Sequence, residues 1–219
     1  MPERKLLKIP DYTLGEELGN SISHGVGALL AVAALVLCII ASLRSGDPWA
    51  AFSGSVYGVT LIMLYTMSCL YHALVTGSAK RVFRVLDHCG IFLLIAGTYT
   101  PYTLVTLRET PVGWPLFAVI WAAAIVGIVL NAIDLEKFKL VSMLCYLAMG
   151  WCIVFAVRPL MENLAAPGLV LLLAGGLAYT LGAILYGLGA KRKYFHSVWH
   201  LFVLAGSALH FFSILFYVL

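Results

Sequence analysis

The segment Phe195-His196-Ser197-Val198-Trp199-His200 sets two imidazoles four residues apart. On a helix that spacing puts both on one face, where they can grip a single metal ion. The chain has six histidines, and five of them, His24, His72, His88, His196 and His200, stand at the ends of apolar runs. His72 closes the second run and supplies a third imidazole. Three His nitrogens leave a tetrahedral ion with an open fourth position, as expected of catalytic zinc and not of a closed structural site, so Zn2+ is the expected cofactor. Asp87, at the start of the third run, is the natural acid/base group, because a carboxylate beside such an ion can hold and deprotonate a water. Ser68, one turn before His72, can donate a hydrogen bond to a substrate carbonyl.

The elements that must carry these residues follow from composition. Of 219 residues, 62% are hydrophobic and only 11% charged, more apolar material than one soluble core of this size can hide. The expectation is an all-α, polytopic membrane protein. A helix needs about 20 apolar residues to cross ~30 Å of hydrocarbon, and seven runs qualify: 22–43, 50–74, 86–107, 112–131, 140–158, 167–189 and 195–218. They form a single seven-helix domain over residues 1–219.

Eleven of the fourteen Lys and Arg residues fall on one side of the alternation: Arg4, Lys5, Lys8, Lys80, Arg81, Arg84, Lys137, Lys139, Lys191, Arg192 and Lys193. Only Arg44, Arg108 and Arg158 fall on the other. By the positive-inside bias the N-terminus is cytoplasmic, the C-terminus is outside, and the chain is a multi-pass protein of the cell inner (plasma) membrane. The first 20 residues are polar and carry both signs, so no removable signal peptide is expected. Basic residues beside lipid headgroups account for the net charge of +4. Membrane lipids are thus the expected partners and nucleic acid is not, while assembly into a homo-oligomer is left open. Five cysteines, odd in number and all within spans, argue against disulfides.

Polar residues recur as helical stripes. Glu17, Asn20, Ser21 and His24 share one face of the first span, and Tyr65, Ser68 and His72 share one face of the second. Asp87 and His88 open the third span, and His196 and His200 the seventh. With odd spans running outward and even spans inward, all four stripes meet near the inner leaflet. Ionisable groups at that depth are costly unless they find partners, which makes Glu17, Asn20, Ser21, His24 and His88 a supporting network. His210, ten residues past His200 and therefore about 15 Å deeper, belongs to packing or to a separate polar network. Pro101 should kink the third span. Gly175, Gly176, Gly182, Gly187 and Gly189 should let the sixth helix pack closely.

In combination these segments resemble the haemolysin III family, the bacterial branch of the progestin and adipoQ receptor group. They are Glu17-Leu-Gly-Asn20-Ser21-Ile-Ser-His24-Gly25, Ser68-Cys-Leu-Tyr71-His72, Asp87-His88-Cys, Ala96-Gly97-Thr98-Tyr99-Thr100-Pro101 and His196-Ser-Val-Trp-His200. The resemblance implies seven helices, a cytoplasmic N-terminus and zinc held by three His at the inner leaflet, within a wider superfamily that includes alkaline ceramidases. Carried over by motif, His72, His196 and His200 are the metal ligands, accompanied by Asp87 and Ser68. The family name suggests a cytolysin, yet seven spans with a positive-inside bias describe a resident membrane protein. A retinal protein is excluded because residues 195–218 contain no lysine for a Schiff base.

The leading expectation is a metal-dependent hydrolase acting on a lipid amide or ester at the inner leaflet. The alternative is a non-enzymatic sensor or regulator of lipid homeostasis with structural zinc. A transporter or channel ranks third, because the outer halves of the spans are largely apolar. Reporter fusions test the topology: a reporter after Lys191 should read cytoplasmic and one after Leu219 external, and a cytoplasmic C-terminus would refute the assignment.

Overall fold

The computed structural model describes residue 7 and residues 9–189 and 192–219. Of the charges used for orientation, Arg4, Lys5, Lys8 and Lys191 lie outside the described residues. The fold is all-α, with no strand among the described residues. Helix α1 (Leu14–Ser45) starts at a capping box in which Thr13 Oγ1 accepts from the Glu16 amide and the Thr13 amide donates to Glu16 Oε2. It stops at Gly46, whose φ of 69° is the left-handed geometry that favours glycine. Asp47 then caps α2 (Pro48–Ala73), accepting from the Trp49 amide at 2.9 Å, with proline at the first helical position.

Helix α3 (Ser78–Pro101) does more than kink at its proline. Directly after Pro101 the chain widens into a π-helical turn over Tyr102–Thr106. The Thr98, Thr100 and Thr103 hydroxyls donate to the Leu94, Ala96 and Tyr99 carbonyls, so these buried hydroxyls are satisfied within their own helix.

Six helices, not seven, are long and apolar enough to cross a membrane among the described residues. The difference lies between α3 and α6, where the runs expected at 112–131 and 140–158 form one stretch of 51 residues, Gly113–Asn163. It comprises α4 (Gly113–Trp151), a 3-10 turn (Cys152–Ala156) and α5 (Val157–Asn163). A straight helix of that length would measure about 77 Å, more than twice the ~30 Å of a hydrocarbon core. The stretch is interrupted at Asp134, whose φ of −159° and ψ of 94° are non-helical. There the Asp134 carboxylate accepts from the Lys137 amide at 3.0 Å, as an N-cap does, so the residues beyond it restart as a helix. Helices α6 (Ala166–Gly189) and α7 (Phe195–Tyr217) complete the bundle.

Helix α1 packs on α2 and α7, α2 on α3, and α6 on α7. Large apolar side chains such as Leu29, Leu43, Ile133, Phe155 and Leu188 point outward, which suits a lipid-facing surface. The sequence stripes point inward: Asn20, His24, Tyr65, Ser68, His72 and Asp87 are all buried. Close packing is sharpest where α3 meets α2, because a Cβ on Gly97 would lie only 2.0 Å from the Thr60 hydroxyl oxygen. Gly187, with nothing within 4 Å of such a Cβ, is the matched control. Gly97→Ala should cost about 1–3 kcal/mol through overpacking, read as a lower midpoint in thermal unfolding of the detergent-solubilised protein. Gly187→Ala should leave the midpoint unchanged or raise it, and equal effects would contradict the packing.

Candidate metal centre

Two helices deliver the histidines. His72 lies at the end of α2, and His196 and His200 lie one turn apart at the start of α7. The His196 Nε2 atom is 3.2 Å from His72 Nε2 and 3.1 Å from His200 Nε2. Ligand nitrogens about 2.0–2.1 Å from a tetrahedral ion stand roughly 3.3–3.4 Å apart, so these two spacings are close to an edge of a metal's coordination shell, and all three ligand atoms lie within 4.8 Å of one another.

For two of the three rings the opposite side explains why these nitrogens are free to bind. His72 Nδ1 is 2.6 Å from Glu17 Oε2, and a carboxylate can only accept there, so Nδ1 carries the proton and Nε2 presents a lone pair. His200 Nδ1 faces the Asn20 carbonyl at 3.3 Å, which fixes the same tautomer. His196 Nδ1 is buried without a partner. A carboxylate or carbonyl behind a ligating imidazole orients the ring and raises its basicity.

Helix α1 is therefore the scaffold of the centre. Glu17 holds His72 with one oxygen and the Lys80 ammonium with the other, at 2.6 Å, while Lys80 Nζ also donates to the Leu74 carbonyl. Asn20, wholly buried, accepts from Ser197 Oγ at 2.6 Å through its side chain and faces His200 through its backbone. Glu16 receives the Tyr194 amide at 2.8 Å, just before α7 begins. Tyr194 has a φ of 65°, a left-handed conformation that costs a residue with a side chain. That contact helps to hold the strained turn that launches His196.

The remaining site candidates fall into separate groups. His24 stacks on His200 with ring centroids 3.6 Å apart and planes 10° from parallel. Ser21 turns away and donates to the Cys69 carbonyl, joining α1 to α2. Ser68 is wholly buried, with its hydroxyl unpartnered. Asp87 is buried on α3, with His88 Nδ1 3.8 Å from its carboxylate. His88 Nδ1 donates to the Arg84 carbonyl at 2.9 Å. His210 donates to the Gly206 carbonyl and stacks on Tyr179, far along α7 from the centre.

A cavity of about 170 Å³ runs from the centre into the bundle. His24, Asp87, His88, His196 and His200 line one end, His210 reaches its wall, and most of the rest is apolar, including Leu64, Ile95, Leu147 and Val203. A second chamber of about 190 Å³ adjoins it, lined by Tyr12, Tyr71, Arg84 and Arg192 among others, and the two share His88, Lys139, Tyr186 and His196. Tyr12 stacks over His196 at 5.2 Å. Burial, reinforced by the neighbouring Tyr186 and Tyr71 hydroxyls, holds the Tyr12 hydroxyl above the usual phenol range, so it stays neutral.

Lys80 and Tyr12 were not recognisable as part of the site from motif spacing. One signal was present: Lys80, Arg84 and Asp87 fall at i, i+4 and i+7 of α3, a charged stripe whose members are all buried.

Residues 12–211 match the family model described as Haemolysin-III related. The chain is 48% identical to Hemolysin-3 of Bacillus cereus over 204 residues, covering 93% of this chain and 92% of that protein. It is 41% identical to the Hemolysin-3 homolog of Bacillus subtilis (strain 168) over 206 residues, covering 94% and 96%. It is 30% identical to the monocyte to macrophage differentiation factor of Homo sapiens over 210 residues, covering 92% and 84%.

The geometry gives a graded expectation for metal content measured by inductively coupled plasma mass spectrometry. His72→Ala, His196→Ala and His200→Ala should each lose most of a roughly one-to-one complement. Lys80→Met should weaken metal affinity about 10–100-fold through Glu17, and His24→Ala should retain most of the metal. Full occupancy in either α7 variant would sink the three-His assignment.

Proposed function

This chain belongs to the haemolysin III family of membrane proteins, and we propose that it is a zinc-dependent hydrolase acting on an amide or ester bond of a membrane lipid. The single observation that carries this reading is that His196 and His200 stand in the wall of the same largely apolar cavity as Asp87. A purely structural staple between α2 and α7 needs no such cavity and no buried carboxylate beside it. The donor set is all imidazole, which suits zinc among the divalent ions, and three ligands fit a site with a further position available. Bound there, zinc supplies Lewis acidity to a carbonyl oxygen and to a water.

The protein's own residues do the rest. His72, His196 and His200 hold the ion, and Glu17 and Asn20 fix the tautomers that allow it. Asp87 accepts the proton of the attacking water and returns it to the leaving amine or alcohol. Ser68 donates a hydrogen bond to the substrate carbonyl, giving its unpartnered hydroxyl a role. The apolar cavity receives an acyl chain and excludes water. Its walls come largely from α3, α4, α6 and α7, and α4 and α6 touch only sparsely, so a chain enters from the lipid side.

The accompanying topology is seven spans with a cytoplasmic N-terminus in the cell inner membrane, the two halves of Gly113–Asn163 each crossing once on either side of Asp134. The alternative reading, a sensor of lipid state with structural zinc, is favoured by one feature: an ion on His72 and His196 would tie α2 to α7.

Asp87→Asn separates the two readings. For a hydrolase, mass spectrometry of lipid products should show turnover reduced by about 10²–10⁴-fold with metal content unchanged. If Asp87→Asn keeps metal, fold and full activity in cells, the catalytic reading fails and the sensor reading replaces it.

A further inference from the structure

His24 has no role in holding the metal, yet it is one of the most enclosed polar groups in the protein. It is 3% exposed, and neither ring nitrogen has a hydrogen-bond partner. The His200 backbone is the polar group it approaches, without reaching hydrogen-bonding geometry. Its two flanks are occupied by aromatic rings, with His200 stacked against one face and Tyr65 meeting it edge-on at a centroid distance of 5.0 Å. The ring is thereby oriented with no polar group to satisfy it. A buried imidazole left in this state is costly, since each unmet donor or acceptor forfeits its hydration. His24 also forms part of the cavity wall, beside Asp87 and His200.

We infer that His24 is a ligand-recognition residue whose imidazole hydrogen-bonds a neutral hydroxyl or amide on an amphiphile lying in the cavity. A neutral imidazole offers one N–H and one lone pair, so it complements a group that can both accept and donate. A carboxylate or phosphate would leave the lone pair opposed, and a bare alkyl chain would leave both nitrogens unmet. Hydrogen-bonding sites discriminate strongly against analogues that lack the polar group, because the protein atoms are then left unpaired. The inference rests on the reading of the cavity as a lipid-chain site and adds which chemistry selects the occupant.

The test uses the full-length, metal-loaded protein in phosphatidylcholine vesicles. Two photoreactive probes are compared: a twelve-carbon alcohol with a mid-chain diazirine, and the same chain ending in a methyl group. Crosslinked peptides are read by mass spectrometry, with metal content measured in parallel. Wild type should label in the cavity wall at an alcohol concentration about three- to tenfold below that needed for the hydrocarbon. His24→Phe keeps a flat ring against His200 but removes both nitrogens, and should bring the two probes together. His24→Gln retains a donor and an acceptor and should keep most of the preference.

An undiminished preference in His24→Phe overturns the inference, as does equal labelling of the wild-type cavity by the two probes. The second comparison needs no variant to fold. Loss of metal in both variants also overturns it, since the ring would then serve to hold His200. If neither probe labels the wild-type cavity, the lipid-chain reading itself falls and this inference falls with it.

Discussion

A carboxylate set between an imidazole and an ammonium at the edge of a membrane core governs how this bundle is assembled. Glu17 engages both His72 and Lys80. Lys80 is 2% exposed with its ammonium against the Glu17 carboxylate, and His72 needs an acceptor behind it to present its other nitrogen. One side chain on α1 thus satisfies a residue at the end of α2 and another at the start of α3. Removing it would strand a buried charge and release a metal ligand together. The rest of the polar end follows from the same demand, with Asn20 serving α7 as Glu17 serves α2.

The spacing rules made much of this visible. The stripes were legible because a 3.6-residue period in an apolar background has few readings, and the inward faces of α1, α2, α3 and α7 are those the histidines marked. The convergence of His72, His196 and His200 was legible for the same reason: opposite helix directions bring the end of α2 level with the start of α7. Ser21 shows where that reasoning stops, since it shares a stripe with Asn20 and His24 but bonds the Cys69 carbonyl. Periodicity assigns a face, not a partner.

Lys80 was harder to place. A lysine just before an apolar run has the same sequence signature whether it snorkels to headgroups or pairs internally, and only the neighbouring helix decides. The run between α3 and α6 was ambiguous for a related reason. Charged residues such as Asp134, Glu136 and Lys137 mark an interruption, but a carboxylate that caps the next turn permits the backbone to resume helically at once. Sequence therefore located the break without saying whether it would be a loop. Pro101 gave a similar outcome, a disturbance whose place was legible and whose form, a π turn just after the proline, was not.

Tyr12 lies across the polar entrance to the histidine centre, stacked on His196 and tilted against His72 at 5.8 Å. It belongs to no helix, and the capping box at Thr13 begins immediately after it. An ion arriving from that chamber meets this ring before it meets the imidazoles. An ion held by the three histidines would exchange on that route only past this ring. For such an ion, retention against a chelator would be a matter of rate as well as of affinity, because an aromatic ring of the polypeptide lies over the ligand nitrogens.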